Sequence, residues 1–221
     1  MITKIIIFII GIIFSPQILA FTVGFGCISD NNSLDCGTGE SQFFVEITEV
    51  SNDEILFTFL NSGPNESFIS DIYFDSEYFL QVSSLIDADD GFGGDINVDF
   101  SVGAKPNNLP AGRSLSDPFV SLFGFSNDPG AANGIQVDES LGILFYLTNG
   151  LSYEGLINDL TNGAFRIGIH GQGFDGGGSE SYVNTVTTVP IPLSFWLFGS
   201  GLVAFFVKSA KCSKYKNHIS S

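Results

Sequence analysis

The sequence predicts a mainly-β protein: an antiparallel β-sandwich or jelly-roll-like domain with one short helix, set between an N-terminal signal peptide and a C-terminal transmembrane helix. Three observations predict it. Short apolar or alternating runs recur, with Gly, Asn and Pro turns at intervals of about ten residues. The 221 residues are 44% hydrophobic and 14% aromatic, enough to fill a core and too apolar for a disordered chain. The most continuous apolar runs stand at the two ends, each beside lysine.

The elements follow in chain order. Ile5 to Phe14 is apolar behind Lys4. Ten residues reach about 15 Å as a helix, roughly half of a hydrocarbon core. With Ser15, Pro16 and the small Ala20 after it, residues 1–20 read as a signal peptide cleaved after Ala20, handled by the Sec export machinery. Residues 21–188 are the exported domain. Cys27 and Cys36 fall in its first part, and outside the cytoplasm such a pair oxidises. Gln42 to Val50 and Glu54 to Asn61 are strands, with Ser51-Asn52-Asp53 as the hairpin turn. Gly63-Pro64-Asn65 turns the chain into a strand from Phe68 to Phe74. Ile96 to Val102 alternates apolar Ile96, Val98, Phe100 and Val102 with Asn97, Asp99 and Ser101, a half-buried strand. Leu141 to Leu147 and Ala164 to His170 are further strands. The one helix runs from Tyr153 to Leu160, with Ser152 as N-cap and Gly163 near its C-terminal cap.

Ile191 to Val207 is the second end run. Its length of about 25 Å is the bottom of the spanning range. Trp196 stands near one end, where an amphipathic ring prefers the interface, and Lys208, Lys211, Lys214 and Lys216 stop transfer. Cys212 and His218 lie in the tail beyond it.

Charge separates these parts. There are 24 Asp+Glu against 8 Lys+Arg, a net charge of −16. Every acid lies between Asp30 and Glu180, where Lys105, Arg113 and Arg166 are the only bases; the other five are lysines in the end segments. Such a domain excludes a nucleic-acid partner, because phosphate contacts need a basic surface.

The C-terminal segment resembles a known family. Val189-Pro190-Ile191-Pro192, then Trp196-Leu197-Phe198-Gly199-Ser200-Gly201, an apolar stretch and a basic tail are similar to the PEP-CTERM sorting signal in its VPxP…WLFGSG variant. Residues 189–216 would form that signal, with Val189, Pro190, Ile191, Pro192, Trp196, Gly199 and Gly201 as its motif positions. Ile191 stands where the name-giving signal has Glu, and the tail uses Lys rather than Arg. The resemblance implies an exosortase, a membrane-embedded protease-transpeptidase of Gram-negative bacteria. It implies a single-pass inner-membrane form before processing, then the cell surface or extracellular matrix, where exopolysaccharide is a partner. The stretches Phe57 to Pro64, Ile69 to Asp75, Asn108-Leu109-Pro110, Asn133-Gly134, Gly163 to His170 and Ser179 to Asn184 resemble uncharacterised ectodomains of such proteins, which bring no activity with them.

Motifs of chemistry are sparse. No G-x-S-x-G occurs, so there is no nucleophile elbow. His170 is the only histidine of the exported domain, and a lone His at a strand end reads as structural. One histidine also excludes a His-based zinc site. Gly171-Gln172-Gly173-Phe174-Asp175-Gly176 matches G-x-G-x-x-G, but no helix pattern follows to hold a pyrophosphate, so it reads as a loop. Asp87, Asp89, Asp90 and Asp95 cluster around Gly91, Gly93 and Gly94. An exposed acidic turn is the plain reading, and a Ca²⁺ loop without EF-hand spacing is the alternative. The expectation is a non-enzymatic exported surface or matrix protein with no cofactor. The alternatives are a Ca²⁺-dependent carbohydrate-binding module and a secreted hydrolase with paired carboxylates.

Overall fold

Alternating burial fixes the sheet. In Glu54–Asn61 every second side chain is buried, and Ile55, Phe57 and Phe59 are fully buried on one face. The computed structural model describes residues 20–75, 80–86, 97–128 and 130–185. All fall in one unit ending at Thr187. Its elements are β1 (Ala20–Cys27), α1 (Ser33–Gln42), β2 (Phe43–Ser51), β3 (Glu54–Asn61), β4 (Phe68–Phe74), β5 (Leu80–Ile86), β6 (Phe100–Val102), β7 (Phe123–Asn127), β8 (Ser140–Leu147), α2 (Tyr153–Asn162), β9 (Ile167–Gln172) and β10 (Ser179–Thr185).

The protein is mainly β. Ten strands form one continuous sheet in the order β5-β8-β3-β2-β1-β10-β9-β4-β7-β6, and every neighbouring pair is antiparallel. β3 and β4 stand five places apart in that order, yet Phe74 of β4 meets Phe57 edge-on at 6.0 Å and Phe145 of β8 at 5.5 Å. The sheet is therefore doubled over on itself around an aromatic core. Phe74, fully buried, also stacks on Phe123 at 4.7 Å and on Phe165 at 6.0 Å. Edge-to-face and offset pairs of this kind add to the burial of the rings.

The antiparallel order sorts the loops between two ends. β1 begins where β10 finishes, since Gly24 pairs with Thr185 and Cys27 with Tyr182. At this terminal end lie the β2–β3 turn, α2 and the start of β9. At the opposite, cleft end lie α1, the 62–67 turn, the 128–139 loop and the 173–178 turn. A smaller apolar cluster of Tyr73, Ala104, Leu109, Phe119 and Val183 packs the outer face beneath the 103–122 loop. Gly168 is required there, because a Cβ would stand 2.7 Å from Leu109 Cδ2.

Several expectations are met. The strands expected at 42–50, 54–61, 68–74 and 141–147 form within a residue or two. α2 begins at the Ser152 cap, whose hydroxyl accepts from Gly155 N, and ends at Gly163 with φ 80°. Others need correction. There are two α-helices rather than one. The strand expected from Ile96 shrinks to Phe100–Val102: Val98 and Phe100 are buried as alternation requires, but Val102 is 67% exposed. β7 pairs only as far as Phe100↔Asn127, and Asp99 N instead donates to Asn133 O. The strand expected at Ala164 starts at Ile167, because Ala164 N is bound to Asn162 Oδ1 and Phe165 N to Asp159 O. It runs on to Gln172. Among the described residues no helix is long and apolar enough to cross a membrane. The end runs at 5–14 and 191–207 lie outside those residues.

Candidate functional site

The cleft end carries an open cavity of about 700 Å³. Its floor begins at Phe68, whose ring is flanked by two glycines: a Cβ on Gly134 would stand 2.5 Å from Phe68 Cδ2, and one on Gly173 2.7 Å from Cδ1. The wall is the 128–139 loop, fastened to β4 by paired hydrogen bonds between Ile69 and Ile135 at 3.1 and 3.0 Å. Glu139 braces this wall. Its Oε2 accepts from Gln136 N at 2.9 Å and its Oε1 from Asn97 Nδ2 at 3.3 Å. Behind the opposite rim, Gln42 Nε2 donates to Asn61 Oδ1, Asn65 O and Ser67 Oγ, and Gln42 Oε1 accepts from Asn65 N. Buried polar groups satisfied in this way fix a loop in one place. The cavity thus offers amides, carboxylates and a small apolar floor, and no Lys, Arg or His lines it among the described residues.

His170 sits on the outer face in a buried polar network. A bulge in β4 between Ile69 and Asp71 sets Ser70 and Asp71 together against His170. Ser70 Oγ donates to Asp71 Oδ2 at 2.6 Å, and Ser126 Oγ donates to Asp71 Oδ1. His170 Nδ1 lies 3.3 Å from Asp71 Oδ2 and 3.5 Å from Ser70 Oγ. A nucleophilic triad places its carboxylate and hydroxyl on opposite ring nitrogens. Here both crowd Nδ1, and the hydroxyl proton goes straight to the carboxylate. The arrangement can hold a buried carboxylate, but it lacks a base aligned to activate Ser70.

The third constellation joins β1, α1 and the 173–178 turn. Cys27 and Cys36 form a disulfide with Cα atoms 5.4 Å apart. Both cysteines lie near Glu180, with ligand atoms within 4.8 Å, but the disulfide occupies both sulfurs. Glu180 is 1% exposed. Its Oε1 accepts from Asn32 N at 2.7 Å, and its Oε2 accepts from Asn31 N at 3.1 Å and from the Ser29 hydroxyl. This carboxylate fills the donors that precede α1. Asp35, in the first turn of α1, is 6% exposed, and its Oδ2 has no hydrogen-bond partner among the described residues. Burial, then the charges of Glu180 and Asp175, push its pKa up.

The remaining predicted positions divide simply. The G-x-G-x-x-G stretch spans the end of β9 and the following turn, and the next element is strand β10, so the helix a dinucleotide site needs is missing. Asp87, Asp89, Asp90 and Asp95 lie outside the described residues, as do the sorting motif from Val189 to Gly201 and the four tail lysines. Sequence reasoning missed Asp35, Glu180 and the cleft walls. Comparison with family models, with curated proteins and with solved structures gives no match.

Proposed function

We propose that this chain is an exported, non-enzymatic surface or matrix protein, delivered by an N-terminal signal peptide and a C-terminal membrane-sorting segment. The observation that carries the reading is the placement of the chain ends. β1 is the first described strand and lies next to the expected signal peptide, and β10 is the last and precedes the expected sorting motif. The two are antiparallel neighbours in the sheet, so the start of β1 and the finish of β10 share one end of it. The Cys27–Cys36 disulfide supports an oxidising destination. On this reading the folded part is a sandwich-like ectodomain, 191–207 is a transmembrane helix, and an exosortase-type enzyme acts near Val189 to Pro192. The proposed location is the inner membrane before processing and the cell surface or matrix after it.

Intact mass of the surface-extracted protein tests processing. The expected product begins at Phe21 and lacks the residues after about Pro192. A product ending in Ser221 contradicts sorting by cleavage. A reporter fused behind His218 is expected in the cytoplasm; periplasmic activity contradicts the orientation.

A second reading is carbohydrate binding in the cleft, favoured by its amide and carboxylate lining over an apolar floor. The volume lies within the range of small-ligand sites, roughly 300–1,000 Å³. Titration with neutral oligosaccharides of the surface polysaccharide is expected to give binding that Gln136→Ala weakens. Equal binding by the variant removes the cleft from the account.

A further inference from the structure

The corner between α1 and the 173–178 turn holds a charge that the fold leaves unanswered. Asp35 and Glu180 are buried there, Asp175 lies exposed on the neighbouring turn, and none of the three has a cationic partner among the described residues. Glu180 is accounted for: an amide satisfies one oxygen, and an amide with a hydroxyl satisfies the other. Asp35 is different. It is 6% exposed, and its Oδ2 meets no hydrogen-bond partner. An ionised carboxylate buried without a counter-charge is strongly disfavoured.

The turn over this oxygen is built to stay close to it. Asp35 Oδ2 would collide with a Cβ on Gly178 and would lie 3.9 Å from one on Gly176. Glycine at both positions lets the backbone approach, and Gly177 adopts φ 72° to round the corner. Asp175 sits on the same turn, exposed, and acts electrostatically on Asp35. A buried oxygen faces a glycine turn that also carries a second carboxylate. The sulfurs nearby are joined to each other, so only oxygen donors remain.

We propose that Asp35, Asp175 and the backbone of the 173–178 turn form a Ca²⁺ site at the cleft end. Oxygen-only donors select a hard cation. The irregular turn suits the flexible coordination of Ca²⁺ better than the strict octahedron of Mg²⁺. The ion supplies the counter-charge that Asp35 lacks and clamps the 173–178 turn onto α1. Gly173 of that turn borders the cleft, so occupancy sets the cleft rim. The site uses none of Asp87, Asp89, Asp90 and Asp95 and does not depend on export or sorting.

The test is thermal unfolding and calorimetric titration of the purified protein with Ca²⁺ and Mg²⁺, after chelation. For the wild type, millimolar Ca²⁺ is expected to raise Tm by about 5 °C or more, as saturation of a native-state site requires, with Mg²⁺ giving less. Asp35→Asn removes the calcium-dependent rise while unfolding no lower than wild type in chelator. Asp175→Asn, at an exposed position, weakens Ca²⁺ binding about tenfold. Asp89→Ala with Asp90→Ala leaves the rise intact. The proposal is overturned if the wild type shows no Ca²⁺ effect, or if Asp35→Asn keeps the full rise. Loss of the effect only in the Asp89 and Asp90 variant also overturns it. Should Asp35→Asn fail to fold, Asp175→Asn decides: unchanged affinity defeats the site.

Discussion

The two ends of the sheet treat charge in opposite ways. At the terminal end, Arg166 answers several groups at once. Its Nε donates to Asp75 Oδ2 at 2.5 Å, and its two terminal nitrogens donate to Asp117 O and Pro118 O at 2.9 and 3.0 Å. Its guanidinium also lies 5.4 Å from the Phe119 ring centroid. Burial raises the Asp75 pKa and the Arg166 contacts oppose that rise. At the cleft end, Glu139 and Glu180 are met by amides and a hydroxyl, and Asp35 Oδ2 by no hydrogen-bond partner among the described residues. The buried Asp75 thus has its counter-charge in the fold, whereas the buried Asp35 has none among the described residues. That difference is why the cleft end is the better place to seek a ligand.

The largest test of this contrast is Arg166→Ala. It strands the Asp75 carboxylate, whose side chain is 8% exposed, and the expected loss is about 3 kcal/mol by urea unfolding. A loss below about 1 kcal/mol would place the pair among ordinary surface bridges and blur the distinction between the ends. Next comes the cleft end's own fastening. Replacing Cys27 and Cys36 by Ser is expected to cost about 2.7 kcal/mol, from the loop entropy of a nine-residue separation. A cost near zero would mean that Glu180 alone secures α1.

A smaller effect is expected on the outer face. Burial, and then the Asp71 charge, raise the Tyr73 pKa above the usual phenol value. The unfolded chain therefore loses this proton first, and stability falls as pH climbs past about 10. Tyr73→Phe should flatten that alkaline decline in urea midpoints. An unchanged slope would assign the decline to other groups. The smallest effect belongs to Glu139→Gln, expected to shift stability by less than about 0.5 kcal/mol, because a neutral amide oxygen still accepts from Gln136 N. A large loss would turn the cleft wall from a binding surface into a structural element.

Legibility in the sequence followed the range of the interactions. β3 and α2 could be read from local signals: alternation in Glu54–Asn61, and the Ser152 and Gly163 caps. α1 could not. Its sequence SLDCGTGESQ carries two glycines, and Gly39 is demanded by the Tyr182 ring, which a Cβ would strike. That ring comes from β10, more than a hundred residues on. β10 itself, SESYVNT, lacks an apolar run because α1 and the 26–32 segment cover its polar residues. The disulfide followed from spacing and destination. The acidic corner stayed hidden because Glu180 is bonded to Asn31 and Asn32 across a separation of 149 and 148 residues, and no local pattern announces such a pair. His170 could be seen as the one histidine of the middle segment, but its carboxylate neighbour Asp71, brought in by the β4 bulge, is announced by no local pattern.

The adjacency of β1 and β10 also sets a timetable. Synthesis makes the chain amino end first, so the strand at the middle of the sheet emerges at the outset and must wait for the last one to arrive. Until Ser179–Thr185 has emerged, one flank of Ala20–Cys27 offers bare amides and carbonyls to any other extended chain nearby. Completion through so distant a pairing is slow by nature.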